Sequence, residues 1–217
     1  MTWLAIDTAT DRASVAVGHT LADTIELNVD GARRHAAMLL PAIARVLESA
    51  GTSLEDVRAV VVADGPGSFT GLRVGATVAK ALAAARGLPV FSVPSLMARA
   101  RAGSRGAEPV VVTSDALRGD VYAAVYRFHA DRVETLAPPS VIPRASIAAL
   151  APPGSLHASS QPASAAQLVA LAALPGGALP LEDVGSWEPQ YGRPAEAQAE
   201  WERVHGRPLS GAAGVAG

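Results

Sequence analysis

The chain has 217 residues, 46 of them alanine, with 49% hydrophobic but only 4% aromatic content, enough for one large domain or two small ones. Eighteen basic against 20 acidic residues leave a net charge of −2, without the basic footprint of a general polyanion binder, and Lys80 is the only lysine. The absence of cysteine excludes disulfides, thiolate metal sites and a cysteine nucleophile, and no apolar run is long enough to span a membrane as a helix.

In chain order, the first thirty residues predict three short strands, at 3–6, at 13–17 and at about 22–29, where Ile25, Leu27 and Val29 alternate with polar neighbours. Their short connections suit an antiparallel meander. Asp7 and Asp11 come too early for a secretory leader, and a cytoplasmic location is expected. Helical spacing of Leu39, Leu40, Ile43, Val46 and Leu47 predicts a helix over about 34–50, stopped at Gly51, with Pro41 marking a kink or a late start. Residues 57–63 are a continuous apolar run broken only by Arg58, as a buried parallel strand reads. A glycine-rich loop at 65–71 then leads into a helix ending near Arg86, before Gly87. A strand at 89–93, a helix at 95–102 and three strands near 109–114, 121–128 and 132–141 follow. The Ala-, Pro- and Gly-rich stretch beyond holds one further helix near 163–174, and the unanchored tail 210–217 is expected to be disordered.

A leading meander followed by parallel strands, in the order β-β-β-α-β-α-β-α, is the order of RNase H-like and actin-like α/β folds. The second β-rich stretch, from about 109, reads as a shortened second copy. The expected division is an N-terminal lobe at 1–105 and a smaller C-terminal lobe with its tail at 106–209.

Three places can carry chemistry or recognition. At the end of the first strand, Asp7, Thr8 and Thr10 surround Ala9, where a phosphate-binding turn of the actin-like type wants glycine for close backbone approach. The turn reads either as a strand end tied by local side-chain bonds or as a vestigial phosphate site. In the second place, Gly65, Gly67, Ser68 and Thr70 lie at a strand-to-helix junction, where free N–H groups and the positive helix end meet and Ser68 or Thr70 can cap. It is not a Walker loop, and Phe69 is expected to plug it against the core. Third, on the following helix Gly71, Gly75, Ala79 and Ala83 form a ladder of small residues beside a stripe of Val74, Val78 and Leu82. That face either packs on the chain's own sheet and first helix or is presented, with Leu39, Leu40 and Ile43, to a second subunit. The five histidines show no metal-ligand pairing, so no metal site is expected. Two enzymatic alternatives stay open. One is a small-molecule kinase using Asp7 and the 65–71 loop. The other is a nuclease with Asp7, Glu48, Asp64 and Asp115 as metal-binding carboxylates, although Glu48 lies at the far end of its helix.

These stretches resemble the TsaB (YeaZ) family. The resemblance is carried by Ala5-Ile6-Asp7-Thr8-Ala9-Thr10, by His35 and Leu39-Leu40-Pro41, and above all by Gly65-Pro66-Gly67-Ser68-Phe69-Thr70-Gly71-Leu72-Arg73-Val74-Gly75. Val90, Val93 and Ser95-Leu96 fit as well, as do Asp115-Ala116, Arg118-Gly119-Asp120-Val121-Tyr122 and the late Glu188-Pro189-Gln190-Tyr191-Gly192-Arg193. It covers residues 1–128 and 187–201, while 140–185 departs from the family and is short for it. The resemblance implies an actin-like, ASKHA-type two-lobed fold and a role in forming N6-threonylcarbamoyladenosine beside the tRNA anticodon. It implies a non-catalytic subunit without a cofactor of its own, which binds a TsaD-type transferase and is joined by a TsaE-type ATPase. On that reading tRNA is met indirectly, and a homodimer forms through the same helices when the partner is absent. The partner-binding residues would be Leu39, Leu40, Ile43, Gly71, Val74, Gly75, Val78, Ala79 and Leu82.

Overall fold

A computed structural model describes residues 1–31, 35–116, 119–159, 161–162, 164–192 and 204–205. Strands β1 (Trp3–Asp7), β2 (Arg12–Gly18) and β3 (Ile25–Asp30) form the expected meander. Helix α1 (His35–Ser49), β4 (Ala59–Ala63), α2 (Phe69–Arg86), β5 (Val90–Val93) and α3 (Ser95–Gly103) complete the predicted order. β4 pairs in parallel with β1, and β5 in parallel with β4, so the sheet runs β5-β4-β1-β2-β3. A second meander, β6 (Pro109–Asp115), β7 (Asp120–Phe128) and β8 (Val133–Pro143), is followed by the one-turn α4 (Ile147–Leu150) and β9 (Leu156–His157). β9 pairs in parallel with β6, so the second sheet, β8-β7-β6-β9, repeats the first in shortened form. Helix α5 (Ala165–Ala172) and β10 (Leu179–Pro180), antiparallel to β5, return the chain to the first sheet.

Side chains alternate along the strands and so divide between two cores. Leu4 and Ile6 of β1, Val15 and Val17 of β2, and Val60 and Val62 of β4 face α1 and α2. The opposite face of the same strands presents small residues, Ala5, Ala16, Ala59 and Ala63. Against it lies α5, through Leu168, Val169 and Leu171, in one cluster with Leu96 and Met97 of α3 and Tyr126 and Phe128 of β7. Part of the alanine excess is thereby accounted for: a face of small side chains lets a helix sit close to the sheet.

Several boundaries differ from those predicted, each for a local reason. Residues 21–23 form a 3-10 turn because the Asp23 carboxylate accepts from the His19 and Thr20 N–H groups, and β3 begins only at Ile25. A matching turn at 54–56, held by Asp56, delays β4 to Ala59. Helix α1 starts six residues before Pro41, so the late start does not occur, and the exposed proline sits inside the helix. Strands β9 and β10 have two residues each, too few to show a period. The 210–217 tail, Arg118 and Arg193 lie outside the described residues, as does the His35 side chain.

Candidate functional site

The turn after β1 and the loop before α2 meet directly. The Ser68 N–H donates to the Ala9 carbonyl at 2.8 Å, and Ser68 caps α2 by accepting from the Gly71 N–H through its side chain. A Cβ on Gly67 would collide with the Ala9 carbonyl oxygen, and one on Gly71 with that of Thr8. The glycines of this loop therefore admit the chain's own backbone at the place where a phosphate turn would leave room for a ligand. The Thr10 hydroxyl donates to the Arg12 carbonyl and also accepts from the Arg12 N–H, while Thr70 is exposed.

A strap from the C-terminal region closes the same loop from outside. The Gln190 N–H donates to the Asp64 carbonyl at 2.6 Å, and the Gln190 carbonyl lies against Gly65, whose φ of 108° no side-chain-bearing residue adopts without strain. The Tyr191 ring lies 4.5 Å from that of Phe69, and the Arg73 guanidinium sits 4.2 Å over the Phe69 ring. Phe69 is thus only partly buried, in a surface cluster with the strap, and does not plug the core as expected. Farther along, Lys80 donates to the Gly185 carbonyl at 2.9 Å beside Trp187. The sequence showed the motif around Tyr191 but not its seat on α2, since more than a hundred residues separate Arg73 from Tyr191.

Asp7 is buried, and its carboxylate accepts from the Ala9 N–H at 3.0 Å and from the backbone at Ser164. Burial pushes its pKa up to about 6, opposed by those hydrogen bonds and by the charge of Arg99. Neighbouring groups finish the cap of α5: Ser14 Oγ accepts from the Ala165 N–H at 3.0 Å, and the Glu26 carboxylate accepts from the Ala166 N–H at 3.1 Å. Arg99, which sequence reasoning passed over, donates to the carbonyls of Ser159 and Gln161 at 3.0 and 2.8 Å. The acidic residue of the supposed phosphate turn therefore holds a helix from the other end of the chain.

The nuclease carboxylates do not assemble. Asp7 and Asp64 are buried, Glu48 is exposed on α1, and Asp115 is exposed beside Arg144. Among the described residues no group of three or more His, Asp or Glu side chains could hold a metal ion. Burial also raises the Asp64 pKa to about 6, although a Ser92 hydrogen bond works against it, and Asp64 Oδ1 has no partner.

Helix α2 divides its faces. Gly71, Gly75, Ala79 and Ala83 are buried toward the sheet, with Gly75 against the Thr8 hydroxyl and Ile6. Gly71 and Gly75 thus turn onto residues 6–8 of this chain, and the Thr8 side chain against Gly75 accounts for the mid-helix glycine. Leu39 and Ile43 likewise point into the core, at 1% and 4% exposure. What α1 and α2 offer outward is different: Leu40, 58% exposed, and an open groove of about 410 Å³ lined by Ala36, Phe69, Thr70, Arg73, Val74, Thr77 and Val78. Leu82 is half-buried beside that core.

A family model described as "TsaD: tRNA N6-adenosine threonylcarbamoyltransferase" matches residues 29–178. The Escherichia coli tRNA threonylcarbamoyladenosine biosynthesis protein TsaB is 36% identical over 64% of this chain and 63% of its own length. The Haemophilus influenzae protein of the same name is 40% identical over 56% and 52%. The match thus spans less than two thirds of either curated relative. The structure of YeaZ from Pseudomonas aeruginosa superposes with a TM-score of 0.69 at 30% identity, covering 79% of this chain and 90% of that one. The chain belongs to the TsaB (YeaZ) family. A second crystal structure, described as a protein with similarity to peptidase YeaZ from Pseudomonas aeruginosa, gives 0.73 at 29% identity over 88% and 99%. The two sheets and their repeated order are the actin-like fold of this family, with the second repeat shortened. Among the described residues no helix is long and apolar enough to cross a membrane.

Proposed function

We propose that this chain is a non-catalytic subunit of the machinery that forms N6-threonylcarbamoyladenosine on tRNA, binding and supporting a TsaD-type transferase through the outer face of α1 and α2. The observation that carries the reading is the closed phosphate turn. Gly67 and Gly71 are filled by the backbone of residues 8 and 9, and Gly65 by the strap, so the loop that would hold a nucleotide holds the chain itself. A docking face stands beside it: Leu40 projects from α1, and Val74 and Val78 floor the groove along α2. The names of the TsaB relatives supply the pathway. A homodimer through the same face would form when the chain is alone, and a TsaE-type ATPase would join the pair.

The test is co-expression with the transferase and the ATPase, followed by sizing and a tRNA-modification assay with and without this chain. Leu40→Glu and Val78→Glu place charge on the outward face, and each should cost at least about tenfold in affinity for the transferase. Copurification of both variants at wild-type affinity would place the interface elsewhere. The kinase reading predicts low-micromolar binding of Mg-ATP by the isolated chain, and calorimetry that found it would remove the subunit reading.

A further inference from the structure

A second concavity lies far along the chain from the α1–α2 groove, where α3 ends and the β7–β8 turn passes. It is an open pocket of about 430 Å³ whose polar lining includes Arg101, Ser104, Arg105 and His129, with Phe128 as an apolar wall. Arg101 Nε is buried without a hydrogen-bond partner, and its guanidinium lies 5.7 Å from the Phe128 ring. Arg105 is exposed, and among the described residues neither arginine has an ion-pair partner.

The nearby acids leave both arginines without an ion pair. Glu134 is shared between Arg127 at 3.1 Å and His129 at 3.3 Å, and Asp131 pairs with Arg132 at 3.3 Å. Glu108 lies against Gly106 at the rim. Two arginines without an ion pair, together with His129, which is held by Glu134, therefore line one cavity in a chain whose net charge is −2. We propose that this pocket binds a phosphate group. A phosphate monoester carries close to two negative charges and three strong acceptor oxygens, which matches two guanidinium forks, whereas a single carboxylate would leave charge and donors unsatisfied. The cavity is larger than a bare phosphate and falls in the range of small-ligand sites, so the phosphate comes with the body of a nucleotide or of a nucleic-acid strand. The site is independent of the docking face on α1 and α2.

The experiment titrates the full chain with inorganic pyrophosphate, with 5′-AMP and with a short single-stranded RNA, reading heat and melting temperature. Saturable binding of at least one of them below about 1 mM is expected. Arg105→Ala, at an exposed position, should weaken it about tenfold, and so should Arg101→Gln. Because Arg101 packs on Phe128, Arg101→Lys serves as a second variant, keeping the charge but lacking the planar fork. Acetate at the same concentration should not compete. Tighter binding of RNA than of pyrophosphate assigns the phosphate to a nucleic-acid backbone, and the reverse assigns it to a small molecule. Absence of saturable binding by all three, equal affinity in the Arg105 variant, or displacement by acetate overturns the proposal.

Discussion

Replacing Gly75 by alanine measures directly what the small-residue face of α2 packs against. In an open helix the change gains about 1 kcal/mol of propensity. Here the added methyl meets the Thr8 hydroxyl in a fully buried position, while Thr8 Cβ and Ile6 Cγ2, at 3.6 and 3.7 Å, are ordinary contacts. Moving the hydroxyl in a packed site costs about 1–3 kcal/mol, so Gly75→Ala alone should be net destabilising, by up to about 2 kcal/mol. Thr8 Oγ1 has no hydrogen-bond partner. Thr8→Ala therefore loses one methyl but relieves an unsatisfied hydroxyl, and should be close to neutral, within about 1 kcal/mol. In that background the Gly75→Ala methyl meets nothing tighter than van der Waals contact, and the same change should stabilise by about 1 kcal/mol. The double-mutant cycle thus predicts a coupling of about 1–3 kcal/mol and a reversal of sign. Urea denaturation followed by far-ultraviolet circular dichroism measures it, at one fixed protein concentration because self-association would shift apparent stability. Equal destabilisation in both backgrounds would refute the reasoning, because Gly75 would then be answering to something other than Thr8.

Asp64→Asn tests the buried carboxyl beneath the strap. Its folded pKa lies above its ordinary 3.8, at about 6, so between those values the folded chain binds more protons than the unfolded one and stability falls as pH rises. The variant should match wild type near pH 4 and exceed it above pH 6 by up to about 3 kcal/mol, and a pH-independent difference would contradict the burial argument. Asp7→Ala removes one of the three acceptors at the start of α5, leaving those of Ser14 and Glu26, and takes the counter-charge from Arg99, so it should lower stability by about 2–4 kcal/mol and the melting temperature by about 5–10 °C. An unchanged melt would show that the carboxylate does not hold the helix. Tyr191→Ala removes the ring against Phe69, worth about 0.5–1.5 kcal/mol beyond its area, and should speed proteolytic cleavage near residue 186 with little effect on global unfolding. Calorimetry with Mg-ATP should give no binding in the low-micromolar range, since backbone fills the turn that would receive the phosphates.

Element order was legible because it is written locally. Alternation at Ile25, Leu27 and Val29, helical spacing at Leu39, Ile43 and Val46, and the punctuation of Gly65, Gly67 and Gly87 each act within a few residues. The junction at Ser68 and its role as a cap were readable for the same reason. Which way a face points was not. The ladder of Gly71, Gly75 and Ala79 suits the chain's own strand and a second subunit equally well, and only the approach of Thr8 decides for the strand. Asp7 shows the same limit: its backbone partner at Ser164 lies at the other end of the chain, so the residue has the spacing of a phosphate turn and the environment of a helix cap. Hydrophobicity alone places Phe69 inward, yet Tyr191 and Arg73 hold it at the surface. The sequence by itself determined the longer strands and helices, their order and the family likeness, because short-range periodicity and turn chemistry set those. The tertiary structure alone decided which side chains are buried, capped or left facing outward, because those depend on contacts between segments far apart in the chain.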